Sequence, residues 1–67
     1  MCVIYMDGSA KDGTSYRCYL RSHSKKEIVY SGALRDAKRF KSTRKAREVV
    51  RNLSKFRSGL MIMEVME

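Results

Sequence analysis

The sequence predicts an α+β fold of two layers, in which a three-stranded antiparallel meander is followed by one helix and a fourth strand, the order βββαβ. Three observations carry this prediction. The first half alternates apolar and polar residues between turn-forming pairs, residues 46–53 repeat their apolar positions with helical spacing, and a short apolar run follows the next glycine. A chain of 67 residues has room for one hydrophobic core, so we expect a single small domain over residues 1–67.

Three β-strands are predicted in the first half of the chain. Residues 2–6 are apolar and β-prone, and two Asp-Gly pairs follow them closely, which favours a hairpin loop. Residues 16–21 then alternate, so that one face of the second strand is apolar and the other is polar. After a polar turn at residues 22–26, residues 27–30 form the third predicted strand.

A helix is predicted to begin at Thr43. Ser42 before it is a suitable N-cap, because a serine hydroxyl accepts a hydrogen bond from an exposed amide of the first turn. The predicted packing face is the apolar stripe with the spacing i, i+3, i+4 and i+7, which is formed by Ala46, Val49, Val50 and Leu53. Ser58 and Gly59 are expected to end the helix.

Residues 60–65 form the last predicted strand. Their nearly continuous apolar character indicates neighbours on both sides, or at least partial cover on both faces. A right-handed crossover that returns this strand parallel to the third would place it beside the first, which gives the sheet order 3-2-1-4 with the helix on one face.

The net charge is concentrated in one third of the chain. Residues 35–57 hold ten basic and two acidic residues, which accounts for the whole formal charge of +8. Opposite the apolar stripe of the helix lies what we call the basic ridge, formed by Arg44, Arg47, Arg51 and Lys55. Ahead of the helix lies the basic lead-in, formed by Lys38, Arg39 and Lys41. Of the two acids, only Glu48 has the spacing to pair with ridge residues.

An arginine-rich ridge suits contacts to phosphate or carboxylate groups, so these seven residues predict a nucleic-acid or acidic-partner binding site. The alternative is the solvated outer face that any amphipathic helix presents. A secondary candidate surface is the polar face of the second strand, with Arg17, Tyr19 and Arg21. An aromatic side chain flanked by arginines can stack on bases. The alternative there is cross-strand packing of Tyr19, with the arginines protecting an edge.

No catalytic residue, cofactor or metal site is predicted, and we expect no enzyme. Cys2, Cys18 and His23 lack the paired spacing of a structural zinc site. His23 falls in the polar turn, where we expect it to be solvated. The cysteines suit a reduced state, and a disulfide between neighbouring strands is the alternative. Because the chain opens without a signal-peptide pattern and has no apolar run of about 18 residues, we expect a cytoplasmic protein without a membrane partner.

The stretch from Arg39 to Val50, RFKSTRKAREVV, resembles the helix entry of small phage and prophage accessory proteins. A similar entry follows a three-stranded sheet in the arm-type DNA-binding domains of phage integrases. In that family the sheet enters the major groove of DNA. The resemblance therefore implies that Arg17, Tyr19 and Arg21 face DNA and that the basic helix contacts phosphates.

Two functions stay open, the first indicated by the concentration of positive charge and the second by the phage-like resemblance and the small size of the chain. One is a non-catalytic accessory protein that binds nucleic acid or a nucleoprotein through its basic helix. The other is an inhibitor of a host defence protein or enzyme, similar to an anti-CRISPR protein, that binds an acidic protein surface in the host cytoplasm. The apolar last strand also favours a homodimer that covers its edge or the open sheet face.

Overall fold

The computed structural model describes residues 1–24 and 27–66. It contains a 3-10 turn at Leu34–Asp36 and five regular elements: β1 (Cys2–Ser9), β2 (Ser15–His23), β3 (Ile28–Ser31), α1 (Thr43–Leu53) and β4 (Met61–Glu64). This is the predicted α+β order βββαβ. The predicted turn at residues 22–26 lies partly outside the described residues.

The four strands form one sheet in the order β3-β2-β1-β4, as predicted. The predicted direction of β4 is wrong, because β4 pairs antiparallel with β1 and therefore runs antiparallel to β3. The reason is that the segment between β3 and α1 runs back along the sheet to the end where Cys2 lies. Phe40 pairs with Cys2, and the Thr43 hydroxyl lies 3.4 Å from the Cys2 sulfur, so α1 begins at the Cys2 end of the sheet. β4 then returns to that end, where Glu64 pairs with Cys2.

The helix α1 packs on one face of the sheet through the predicted stripe. Val49 and Val50 are partly buried against the core. The buried core cluster draws on β1, β2, α1 and the segment before α1, and it consists of Cys2, Ile4, Leu20, Phe40, Ala46 and Leu53. Val3 is also fully buried, although strand alternation places it on the opposite face from Ile4. The sheet therefore excludes solvent on both of its faces near the start of β1.

The first hairpin is longer than the sequence predicts. β1 continues through Gly8, so only the second Asp-Gly pair lies in the turn, where Gly13 adopts the left-handed φ of 88°. Gly8 lies directly opposite Tyr16, and a Cβ at position 8 would stand 2.5 Å from the tyrosine ring. The first Asp-Gly pair is thus a strand feature, in which the glycine makes room for an aromatic ring.

Both ends of α1 are set by local hydrogen bonds. The predicted N-cap is confirmed, because the Ser42 hydroxyl accepts a hydrogen bond from the Lys45 amide at 3.3 Å. The helix ends at Leu53, earlier than the predicted end at Ser58 and Gly59. The amides of Phe56 and Arg57 both donate to the Leu53 carbonyl at 2.9 Å, which closes a turn and stops the regular helix. Gly59, with φ of 82°, then leads the chain into β4.

β4 is an edge strand, so the expectation of neighbours on both sides is wrong. The alternative of partial cover on both faces holds. Ile62 packs against the core cluster, and Met63 is partly buried on the opposite face beside Val3. Partial cover on each face explains why a strand at the edge of the sheet is apolar at nearly every position.

Candidate nucleic-acid interface

The basic ridge lies on the side of α1 that faces away from the sheet, because the opposite stripe is packed on the core. All four of its side chains are exposed. Arg44, Arg47 and Arg51 belong to α1, whereas Lys55 lies in the turn that follows it.

The ridge cations carry no carboxylate partner in the part of the chain that the structure describes. The one salt bridge recorded there joins Arg17 to Asp7, far from the ridge in sequence. Glu48 has the spacing to pair with Arg44 and Arg51, but it makes no salt bridge with either. The positive charge of the ridge is therefore available to an external anion.

The basic lead-in is fixed to the sheet where β1 and β2 separate. The pairing of β1 with β2 ends at Tyr5 and Tyr19, and the register of β2 against β3 shifts just beyond that point, between Leu20 and Ser22. The Lys38 amide donates to the Leu20 carbonyl at 2.8 Å. Phe40 and Cys2 exchange two backbone hydrogen bonds, of 2.8 and 2.9 Å. The backbone of the lead-in is thus bonded to β1 and β2, so its side chains branch from fixed positions.

Two of the lead-in side chains are also held by local contacts. The Lys38 ammonium lies 5.7 Å from the centroid of the Phe40 ring, within the range of a cation–π contact. Arg39 donates from Nη1 to the carbonyls of Leu34 and Ala37, at 2.8 and 2.6 Å. These hydrogen bonds restrict the orientation of the guanidinium.

The structure groups the basic residues differently from the sequence prediction. The lead-in and α1 enclose a shallow depression of about 440 Å³, which we call the lead-in depression, and Lys45 is the helix cation that lines it. Lys45 and Arg47 are two positions apart, and therefore about 200° apart around the helix. The lead-in thus shares one flank of α1 with Lys45, whereas Arg47 and Arg51 occupy the other flank.

The site predicted from the sequence does not include Lys45. Helical spacing does not point to it, because Lys41 precedes the N-cap Ser42 and lies outside the helix that carries Lys45. No feature of the sequence reveals that Phe40 pairs with Cys2, and that pairing is what brings the lead-in to this flank of the helix.

His23 also lines the lead-in depression, which corrects its placement in a solvated turn. β2 extends as far as His23, where the residue pairs with Ile28 of β3 and is partly buried. Burial of the imidazole, followed by the positive charge of Lys38, lowers its pKa from the ordinary value of 6.5. At neutral pH the imidazole is therefore uncharged and can donate or accept a hydrogen bond.

The secondary surface on the sheet has a different character. Arg17 makes a two-point contact with Asp7, in which Nε donates to Oδ1 at 2.7 Å and Nη2 donates to Oδ2 at 3.2 Å. The guanidinium also stacks over the Tyr5 ring, 4.3 Å from its centroid. The hydrogen bond from Arg17 lowers the pKa of Asp7, so the pair stays ionised at neutral pH. The charge of Arg17 is thus neutralised within the sheet.

The other two residues of that surface do not extend it into a binding face. Tyr19 lies directly opposite Tyr5 on the neighbouring strand, which agrees with the alternative of cross-strand packing. Arg21 is exposed, but it falls at the bulge, where the alternation that would align it with Arg17 is interrupted. The structure therefore does not bring Arg17, Tyr19 and Arg21 together as three available groups.

Across residues 1–24 and 27–66, no cluster of three or more His, Cys, Asp and Glu side chains is arranged to hold a metal ion. Cys2 and Cys18 are both free thiols. None of the helices in this part of the chain is long and apolar enough to cross a membrane.

Comparisons with protein-family models, with curated proteins and with solved structures find no match to this chain. The resemblance of residues 39–50 to phage accessory proteins and integrase arm domains therefore stays a prediction from sequence.

Proposed function

We propose that this protein is a non-catalytic accessory protein of phage type that binds nucleic acid, or a nucleoprotein, through its basic helix in the host cytoplasm. The observation that carries the proposal is the basic ridge. Its side chains are exposed, and no carboxylate among the described residues pairs with them. Unpaired cations on a rigid, convex surface can each displace a counterion from a phosphate backbone.

The ridge suits the backbone of a polynucleotide better than its base edges. Three of its four cations are arginines, whose guanidinium groups contact phosphate through two parallel hydrogen bonds. Phosphate contacts position a protein on nucleic acid but carry little sequence information. We therefore expect binding that is strongly dependent on salt and weakly dependent on sequence.

The test is a titration of labelled duplex DNA and duplex RNA by fluorescence anisotropy, from about 50 to about 200 mM salt. If the four ridge cations each contact a phosphate, the slope of log K against log salt is about −3 to −4 for duplex DNA. Arg51→Glu is expected to weaken binding and to make this slope shallower. Lys11→Glu in the hairpin loop, which changes the net charge equally, is the matched control and is expected to have little effect.

No binding at the lowest salt concentration would overturn the proposal. Equal weakening by Arg51→Glu and Lys11→Glu would also contradict it, because net charge alone would then explain the affinity. Circular dichroism of each free variant tests whether both are folded.

The second candidate function, inhibition of a host defence protein or enzyme through an acidic protein surface, is favoured by one observation. Phe56 is 76% exposed and lies between Lys55 and Arg57 in sequence. An exposed aromatic residue beside arginine is typical of protein interfaces. Affinity purification from a nuclease-treated bacterial lysate separates the two functions. A partner retained in stoichiometric amount after nuclease treatment favours the inhibitor, and loss of all partners favours nucleic-acid binding.

We also propose a homodimer through the edge strand β4. Met61 at the start of this strand is 40% exposed, and the outer edge of β4 faces no other strand of the described sheet. Light scattering at high protein concentration is expected to give twice the mass of the chain, and a strict monomer would exclude the dimer.

A further inference from the structure

The lead-in depression differs from the basic ridge in its shape. The ridge is the convex outer side of a helix, whereas the depression is a concave volume of about 440 Å³ between two segments of backbone. Its cations come from both sides: Lys38, Arg39 and Lys41 from the lead-in and Lys45 from α1. A convex surface contacts an extended backbone along its length. A concave surface surrounds a group small enough to enter it.

We infer that the lead-in depression binds a terminal phosphate, either at the end of a nucleic-acid strand or on a free nucleotide. Where the phosphate is the end of a nucleic-acid strand, this inference rests on the proposed function. It adds a second, separate anion site with a chemical preference of its own.

The charges of the depression fit such a group. Four basic side chains line it and one carboxylate, Glu48, opposes them. A phosphate monoester carries a charge of about −1.5 to −2 at neutral pH and presents three acceptor oxygens, whereas an internal phosphodiester carries a single charge. Cations that line the depression from two sides therefore favour the terminal group over any internal one.

Part of this site is also positioned in advance. The lead-in backbone is bonded to Cys2 and Leu20, and the Arg39 guanidinium is bonded to two carbonyls. Lys45 projects from the first turns of a helix that Ser42 caps. A site whose parts are already ordered loses less conformational entropy when its ligand binds.

The remaining lining explains how a nucleotide would be accommodated beyond its phosphate. Phe40 and Val49 form apolar parts of the wall, and the partly buried His23 contributes a polar group that is neutral at pH 7. A depression of this size lies within the range of small-molecule sites, about 300 to 1,000 Å³. It is therefore large enough for a terminal phosphate together with part of its sugar.

The experiment compares two single-stranded oligonucleotides, about ten nucleotides long, that differ only in a 5′-phosphate or a 5′-hydroxyl end. We expect the intact protein to bind the phosphorylated strand about tenfold more tightly, since charge-assisted hydrogen bonds supply the difference. In the variant Lys41→Gln/Lys45→Gln this preference is expected to fall below about twofold, because two of the converging cations are lost.

The matched control is Arg47→Gln/Arg51→Gln, which removes the same charge from the other flank of α1. It is expected to weaken the binding of both oligonucleotides while keeping the preference for the phosphorylated end. Equal affinity of the intact protein for the two strands would overturn the inference. So would a preference that survives in Lys41→Gln/Lys45→Gln.

A titration with ATP, followed by the amide NMR signals of Lys41 and Lys45, separates the two sources of phosphate. Saturable shifts with ATP, together with competition against the phosphorylated strand, support a free nucleotide, whereas competition only by phosphorylated strands supports a nucleic-acid end. Binding of duplex DNA without any end preference would overturn this inference and leave the proposed function intact. Saturable ATP shifts without duplex binding would support the depression and overturn the proposed function.

Discussion

Arginine occurs on both sides of this molecule, in two environments that differ in chemistry. On the α1 side, Arg47 and Arg51 are exposed and without a carboxylate partner among the described residues. On the opposite sheet face, Arg17 is bonded to Asp7 through two hydrogen bonds and stacked on Tyr5. An exposed arginine therefore indicates an anion site only where no carboxylate of the folded protein pairs with it.

The difference follows from the geometry of each element. Across an antiparallel pair, residues directly opposite lie close together, and the register puts Asp7 opposite Arg17. On a helix the neighbours of Arg47 and Arg51 are three or four positions away. At those spacings the sequence supplies Glu48 next to Arg44 and Arg51, and Glu48 forms no ion pair with either within the described part of the chain.

The largest expected effect is the loss of unfolding free energy when a buried apolar side chain is truncated on either face of the sheet. Ile4→Ala removes a fully buried side chain from the core beneath α1 and is expected to cost about 2 to 5 kcal/mol of unfolding free energy. Val3→Ala, on the opposite face, removes two methyl groups and is expected to cost about 1.5 to 2 kcal/mol. Urea denaturation followed by circular dichroism measures both. A cost at Val3 equal to or above that at Ile4 would show that the main core lies on the other face.

The next effect concerns binding itself. Arg51→Gln is expected to lower the affinity for duplex DNA by roughly fivefold to tenfold at low salt, since it removes one phosphate contact. Arg17→Gln removes the same charge from a group that is already paired, so a change below about twofold is expected. Anisotropy titrations under matched salt conditions measure the two values. Equal losses of affinity in the two variants would mean that Arg17 contacts DNA despite its ion pair with Asp7.

A smaller effect is expected at the junction of the lead-in and α1. Ser42→Ala removes the hydroxyl that accepts a hydrogen bond from the Lys45 amide, and it is expected to lower the unfolding free energy by about 1 kcal/mol. Ser42→Asp, which keeps an acceptor at the N-cap, serves as the control and is expected to retain stability. Thermal unfolding measures both variants, and an unchanged midpoint in Ser42→Ala would show that the cap contributes nothing.

The smallest effect is the pH dependence of the Asp7–Arg17 pair. The pKa of Asp7 is lowered from its ordinary value of 3.8, first by the hydrogen bond from Arg17. Because the folded state holds this proton less tightly than the unfolded state, the pair stabilises the fold above pH 3.8, and its contribution is lost as the pH falls through the lowered pKa. In Asp7→Asn this contribution is expected to be absent.

The measurement is the midpoint of thermal unfolding from about pH 6 to about pH 2.5, compared between the intact protein and Asp7→Asn. The gap between the two curves is expected to close toward the acid end. Parallel curves over the whole range would show that the exposed pair adds no stability.

Local features of the fold could be predicted from the sequence because their causes are local. Ser42 caps α1 and the stripe from Ala46 to Leu53 packs on the sheet, since capping and helical periodicity need only a few neighbouring residues. The position of Gly8 could not be predicted, because an Asp-Gly pair favours a turn unless an aromatic ring from the other strand covers the glycine. Tyr16 does so here.

The candidate site was predictable as a set of residues but not as an arrangement. Helical spacing places Arg44, Arg47 and Arg51 on one outer side, and the structure agrees. The separation of the lead-in from that side depends on the pairing of Phe40 with Cys2, a contact between distant parts of the chain. Cross-strand pairing likewise brings Arg17 opposite Asp7, and no local pattern of charges in the sequence reveals this ion pair.

The placement of Cys2 has a consequence for the order in which the molecule forms. This residue is flanked by Phe40 on one side and by Glu64 on the other, so β1 is completed by segments that lie far along the sequence from it. A nascent chain that has reached only β3 contains the three-stranded meander, but Cys2 in its first strand still lacks a backbone partner on each side. Contacts so distant in sequence form slowly, since long loops must close first. The lead-in cations therefore reach their places only when Phe40 pairs with Cys2, and a chain that ends before α1 lacks the lead-in depression because Lys45 and Val49 complete its wall.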